Sequence, residues 1–435
     1  MSMSVMRWAG VVGAVVTLVA APTARGQATE DRGSGGSQDQ AEASQRDIRI
    51  EAATEPLLRN AGLAFGGSQL VQSGLAQVTR PLVGEGVEGN GGWGIAARAA
   101  WVLFVDVPVA DWCLLPNHEL GHALRRPAGA GDYTLKLEGP AWPFLYSRGG
   151  SVAWEGQTDT TRWGPWERLR MTAGGWEADD LFLERAREAI YSSRRMHYGD
   201  ALSYFWAKLH VTNYLLKGTA EWRLTSEDPE ARNSDPLIYA AELAEIDGRG
   251  ETTFDAVSRR DRALRRGAYW NLVDYTFWAS AAAWLKGRIV DGRAYSRTPW
   301  LGLGPVALAP SASFTLTPYG PETTALTGWR AGGRTGTVYA RWTDPLEGSR
   351  VVGGGAGLRL ASGTLPVERV AADVWRDREG SWGGRLEVSG VWRRSERDRL
   401  GLSWRAGVKS RGPLAGFANA AEGYAGVGLS LRLGQ

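Results

Sequence analysis

From Pro299 to the last residue the chain alternates, and a run that alternates for this long has few ways to fold. Successive side chains of a strand point to opposite faces, so a period of two is the mark of a sheet with unlike faces. Leu400, Leu402, Trp404, Ala406 and Val408 alternate with Gly401, Ser403, Arg405, Gly407 and Lys409. Ala425, Val427, Leu429, Leu431 and Leu433 do the same against Tyr424, Gly426, Gly428, Ser430 and Arg432, and so do Leu386, Val388, Gly390 and Trp392 against Arg385, Glu387, Ser389 and Arg393. Further strands are expected at 312–317, 323–330, 335–342, 351–360 and 367–375. The result is about eight strands of roughly ten residues with one apolar face and one small or charged face, the pattern of a transmembrane β-barrel with lipid outside. A soluble antiparallel sheet with one wet face alternates in the same way. The last residues, Leu433-Gly434-Gln435, carry no aromatic, which counts against the barrel, whereas 21 tryptophans in the chain suit a membrane interface.

Ahead of the alternating region the spacing is helical. Helices are expected at 165–173, 176–195, 200–216, 236–246, 253–266 and 269–286, separated in several places by Gly or Pro. The last is nearly all apolar apart from Asn271 and Asp274, so it belongs in the middle of a bundle. An earlier helix is expected at about 57–78, with Gly66-Gly67 as its weak point, and 47–51 reads as a short strand. Residues 94–126 are very apolar, but Asp106, Pro108, Asp111 and Pro116 favour a kinked core helix over a membrane crossing. Residues 132–156 read as a hairpin beside that helix, whose edge could pair with a substrate backbone.

At the end of the apolar helix stands His118-Glu119-Leu120-Gly121-His122. Histidines four apart share one helical face and reach one metal ion, and the glutamate beside the first projects where it can take a proton from water. Two of the chain's four histidines fall in this pentapeptide. The motif predicts a hydrolytic zinc centre with Zn2+ on His118 and His122, Glu119 as general base, and a peptide or protein as substrate. Asp111, seven residues before His118, is a candidate to orient a ligand.

A zinc centre of this type needs a third protein donor. A histidine six residues after His122 is excluded, because that position is Ala128. In Gly174-Gly175-Trp176-Glu177-Ala178-Asp179-Asp180 the chain resembles the gluzincin metallopeptidases, whose third ligand is a glutamate on a downstream helix. The resemblance rests on two short motifs and implies Glu177 as the third metal ligand. Asp180 and Glu184 lie on the same helical face, with Asp180 as the main rival. His197 and His210 are further candidates, as a third imidazole or as donors to the tetrahedral intermediate; His197, next to Tyr198, is the better placed and is taken as catalytic.

Composition sets the address. Residues 1–28 form a secretory signal peptide, with a basic start, an apolar stretch from Ala9 to Ala21 and small residues at the exit. Residues 29–46 are a flexible polar spacer. Cys113 is the single cysteine, so no internal disulfide is available, and a net charge of +3 gives no case for nucleic acid. The expected architecture is α+β: a helical zinc-binding catalytic domain at 47–298, then an antiparallel β domain at 299–435 embedded in outer-membrane lipid. The alternative is a non-enzymatic outer-membrane channel or assembly protein whose helices plug the barrel.

Overall fold

A computed structural model describes residues 46–83, 92–127, 130–141, 146–147, 150–154, 163–193, 195–217, 225, 234–248, 253–298, 300–344, 350–360, 367–395, 398–414, 416–417 and 419–433. The stretch expected to be a signal peptide and nearly all of the expected spacer lie outside them. The architecture is α+β, a helical bundle against a ten-stranded antiparallel sheet.

Strand β1 (Arg46–Ala53) is followed by helix α1 (Pro56–Val83) and helix α2 (Gly92–Leu124). A short hairpin, β2 (Tyr133–Leu137) with β3 (Gly150–Trp154), comes next. Helices α3 (Pro165–Ser192), α4 (Tyr198–Leu216), α5 (Asp235–Asp247), α6 (Phe254–Ala268) and α7 (Tyr275–Ala282) complete the bundle, with the small pair β4 (Arg195–His197) and β5 (Tyr295–Arg297) between them. The sheet then runs as β6 (Leu301–Leu303), β7 (Val306–Thr317), β8 (Gly320–Ala331), β9 (Arg334–Thr343), β10 (Val352–Arg359), β11 (Arg369–Arg376), β12 (Trp382–Trp392), β13 (Leu400–Lys409) and β14 (Glu422–Leu433).

All eight strands expected from the alternation are present within β7–β14. Two more strands join them, because the sheet order is β1, β14, β13 and so on down to β6. Ile48 pairs with Leu431 and Ile50 with Leu429, so a strand from the start of the chain continues the last one. The division at residue 299 therefore misassigns β1, and Arg46 belongs to the sheet and not to the spacer.

The expected closed barrel is an open sheet in the described residues, whose edges are β1 and β6. The reason lies in what covers the edges. β6 is three residues long, and beyond it the exposed side of β7 is met by side chains of the bundle. Lys208 donates to the Ala312 carbonyl (2.6 Å), and the Asn271 amide both accepts from Phe314 N (2.8 Å) and donates to Phe314 O (3.2 Å). Thr276 donates to the Pro310 carbonyl (3.3 Å). These groups stand in for a missing strand, which a buried edge requires. At the other edge α1 sits on the backbone of β1: a Cβ on Gly66 would lie 2.3 Å from the Arg49 carbonyl oxygen, and one on Gly62 would lie 3.0 Å from that of Glu51. Helices thus cover β1 and the part of β7 that extends beyond β6.

Three helix readings also change. Gly66-Gly67 does not interrupt α1, and Gly174-Gly175 does not break α3, which runs through 28 residues. Gly174 is there because α2 and α3 cross at it: a Cβ on Gly121 would meet the Gly174 oxygen at 2.3 Å, and the reverse approach is equally short. The expected single helix at 269–286 is a 3₁₀ turn, a break at which Asp274 caps Thr276 N and Phe277 N, then α7 and a π-helical stretch to Val290. In α2 the expected kink is a π-helical turn at Val102–Asp106, just before Pro108, while Pro116 is carried inside the helix. α2 is long and apolar enough to cross a membrane by length and composition, and 44% of its apolar window is buried inside the fold.

Candidate metal centre

The glycine contact between α2 and α3 decides what happens at the pentapeptide. It lets α3 pass so near that His118 and His122 face Gly175, where a Cβ would stand 2.7 and 2.6 Å from their Nε2 atoms. The two Nε2 atoms are 3.2 Å apart. Asp235, at the start of α5, brings Oδ2 to 3.2 Å from His118 Nε2 and 3.3 Å from His122 Nε2.

This near-equilateral triangle is the main observation. An imidazole nitrogen has one in-plane direction for a proton or a lone pair, so it cannot aim at two partners some 60° apart. A single atom above the centre of the triangle satisfies all three. Donors at ~2.0–2.1 Å around a tetrahedral ion are spaced about 3.3 Å from each other, which is the spacing found. Charge agrees as well, since Asp179 and Asp235 together balance a divalent cation. The residues fit a metal ion, with His118, His122 and Asp235 as its holders.

The outer partners fix the two rings. Asp179 Oδ2 lies 2.7 Å from His118 Nδ1, and the Met171 carbonyl accepts from His122 Nδ1 at 2.9 Å. A proton kept on each Nδ1 leaves both Nε2 lone pairs for the shared ligand. Tyr214 donates to Asp235 Oδ2 at 3.2 Å and stacks on Trp176, whose ring meets that of His118 edge-on. Burial disfavours the imidazolium of His118, yet Asp179 and Asp235 hold its pKa well above the ordinary value. His122 is also raised, with Asp235 outweighing burial. Asp235 is pulled far below the usual carboxylate range, because His122 and His118 overcome its burial. Glu119 is buried, and burial pushes its pKa up against the pull of the two histidines. The hairpin lies directly over it: a Cβ on Gly150, the first residue of β3, would be 2.8 Å from Glu119 Cγ.

The other candidates are placed elsewhere. Glu177, the expected third donor from the gluzincin-like run, stands outside the cluster of His118, His122 and Asp235. Its carboxylate takes Arg125 Nε at 2.7 Å, Arg125 Nη2 at 3.1 Å and Gly416 N at 3.2 Å, turning it away from the histidines to tie α2 to the β13–β14 connection. Asp180 accepts from Ser313 on β7, and Glu184 lies among Arg385, Arg369 and Arg187, so neither rival is a metal donor. Asp111 accepts from the Trp206 indole, and Asp179 does the orienting assigned to Asp111. His197 is not at the centre either: it is the N-cap of α4, with Nδ1 accepting from Gly199 N at 3.1 Å and its ring against Tyr198 and Tyr295. His210 is near enough to feel Asp179 and His118, and burial lowers its pKa, but its nitrogens are not part of the triangle. Sequence reasoning missed Asp235, 117 residues from His118, whose only mark is a Ser-Asp-Pro helix start shared by many acids.

No family model, curated protein or solved structure matches the chain, so the functional reading rests on this site.

Proposed function

We propose that the chain is an exported zinc-dependent metallopeptidase held at the outer membrane by its sheet. The observation that carries this reading is the triangle of His118, His122 and Asp235 donors with Glu119 alongside. Two imidazoles and one carboxylate suit zinc and leave a fourth position open to the reaction. When bound, the zinc supplies Lewis-acid polarisation of a peptide carbonyl and makes water acidic enough to act near neutral pH. Glu119 takes the proton of the attacking water and returns it to the leaving amine. Asp179 and the Met171 carbonyl keep the imidazoles turned to the centre throughout. β3, whose first residue lies against Glu119, offers the strand edge along which an extended substrate lies. The test is Glu119→Gln, which keeps shape and loses basicity. Zinc content should stay at the wild-type level while peptide turnover falls at least ~100-fold; normal turnover would rule out this mechanism.

The membrane address is supported by the outward face of β12. Trp382 and Trp392 are 70% and 58% exposed at its two ends, with Leu386 also exposed between them. Ten residue steps cover about 33 Å of strand, and a tilt of some 40° reduces that to about 25 Å, the height of the apolar band of outer-membrane barrels with its aromatic girdles. Val338, Val374, Leu400, Leu402, Val408, Val427 and Leu429 extend the exposed apolar surface across neighbouring strands. Bundle side chains take the outer backbone groups of β7, and α1 covers β1, which keeps these backbone groups from lipid.

A second reading, a non-enzymatic membrane protein with a helical plug, is favoured by the ion pairs that join α3 to the polar face of the sheet, Arg185 with Glu51 and Arg369 with Glu188. That reading requires no bound metal.

A further inference from the structure

Away from the metal centre, the last turns of α3 and the polar face of the sheet enclose a cavity of about 390 Å³, within the range of small-ligand sites. Ala189 on its wall is fourteen residues beyond Gly175, or about 21 Å along the helix. Among the described residues its walls hold seven arginines and five carboxylates, and a sixth carboxylate, Glu387 behind the wall, pairs with Arg369 (2.8 Å) and Arg405 (3.5 Å). The carboxylates are shared between guanidinium groups. Glu368 takes both Arg49 (2.6 Å) and Arg359 (3.2 Å), Glu51 takes Arg405 (3.1 Å) and Arg185 (3.5 Å), and Glu188 takes Arg369 (3.0 Å) and Arg185 (3.6 Å). A guanidinium carries five N–H donors, so carboxylates shared in this way leave many unused. Arg405, almost fully buried, has Nε without a hydrogen-bond partner. Arg195 also lines the cavity, and no carboxylate pairs with it among the described ion pairs. Thr335, Thr337 and Ser389 add hydroxyls to the same wall.

Clustered guanidiniums with spare donors in a partly open cavity recognise tetrahedral oxyanions. Arg195 and the unpartnered Nε of Arg405 offer donors to a phosphate group, which carries −1.5 to −2 near neutral pH. We propose that this cavity is a binding site for phosphate, either as the free dianion or as the phosphomonoester headgroup of a lipid. It is independent of the peptidase reading, because the metal donors take no part in it.

The experiment uses the purified full-length protein in detergent, titrated calorimetrically in two arms. One arm adds inorganic phosphate, and the other adds short-chain phosphatidic acid with the matching phosphatidylcholine as control. Arg195→Gln and Arg359→Gln are the variants; both side chains are partly exposed, so circular dichroism should report wild-type folding. Saturable binding of inorganic phosphate, displaced by sulfate and weakened roughly 10–100-fold in each variant, identifies the free anion as ligand. Saturation by phosphatidic acid alone, weakened to the same degree, identifies the lipid headgroup. Zinc content and peptide turnover should be unchanged in both variants, which separates a failure here from a failure of the metal centre. The proposal is overturned if neither probe saturates, or if both variants bind as the wild type does.

Discussion

Replacing Gly175 by alanine adds one methyl group at the point where α3 faces both histidines. On the present backbone that carbon would stand 2.6 Å from His122 Nε2, 2.7 Å from His118 Nε2 and 2.8 Å from His118 Cε1. Ordinary contact begins at 3.4 Å, so the imidazoles and the methyl must separate by about 0.8 Å. Metal donors tolerate displacements of only about 0.2 Å, so zinc affinity should fall at least about 100-fold. The fold should survive. Overpacking costs ~1–3 kcal/mol, and alanine in place of glycine inside a helix returns ~0.5–1 kcal/mol. Gly67→Ala on α1, where a Cβ would meet nothing within 4 Å, is the control and should add stability without touching zinc. Competition titration with a chelating dye gives the affinity, and a melting curve gives the stability. Wild-type zinc affinity in Gly175→Ala would refute His118 and His122 as donors held in place against Gly175.

Three further outcomes follow from the same geometry. Glu177→Ala should leave about one zinc per folded chain but lower stability by about 3–5 kcal/mol, because Arg125 is left as a buried unpaired charge; loss of zinc with intact stability would restore Glu177 as a ligand. Burial pushes Glu242 up to about 8, against the lowering effects of Thr172 and Arg168. A carboxyl raised in this way costs nothing below its unfolded pKa of about 4.3, costs progressively more as pH rises, and reaches its full penalty above 8. Glu242→Gln should therefore raise stability at pH 9 by on the order of 5 kcal/mol and leave it unchanged at pH 4, and an equal effect at both values would contradict the assignment. Bilayers of brominated lipid should quench tryptophan fluorescence, and Trp382→Phe with Trp392→Phe should remove part of that quenching; no quenching in the wild type would place the sheet in water.

Much of the sheet was legible because its evidence is local. In β12, β13 and β14 every apolar residue but Val391 is followed by a small or charged one, and that pattern survives any tertiary context. Closure was not legible. It depends on Lys208, Asn271 and Thr276 reaching β7, and each of these reads in sequence as an ordinary residue of a helical region. The same split holds at the site. His118, Glu119 and His122 sit within one turn and declare themselves, whereas Asp235 arrives from another helix. Gly174-Gly175 was read as a helix break from propensity, but its function is contact, and only the facing residues Gly121 and His118 reveal it. The run Glu177-Ala178-Asp179 did mark the right helix. Its last residue serves the centre through His118, and its first serves Arg125.

The most direct test is the metal content of the purified wild-type protein beside that of Asp235→Ala, measured by atomic emission after exhaustive dialysis. The expected result is about one zinc per chain in the wild type and almost none in Asp235→Ala, with both proteins folded. Wild-type protein free of metal after zinc loading, or Asp235→Ala that holds zinc as tightly as the wild type, would contradict it.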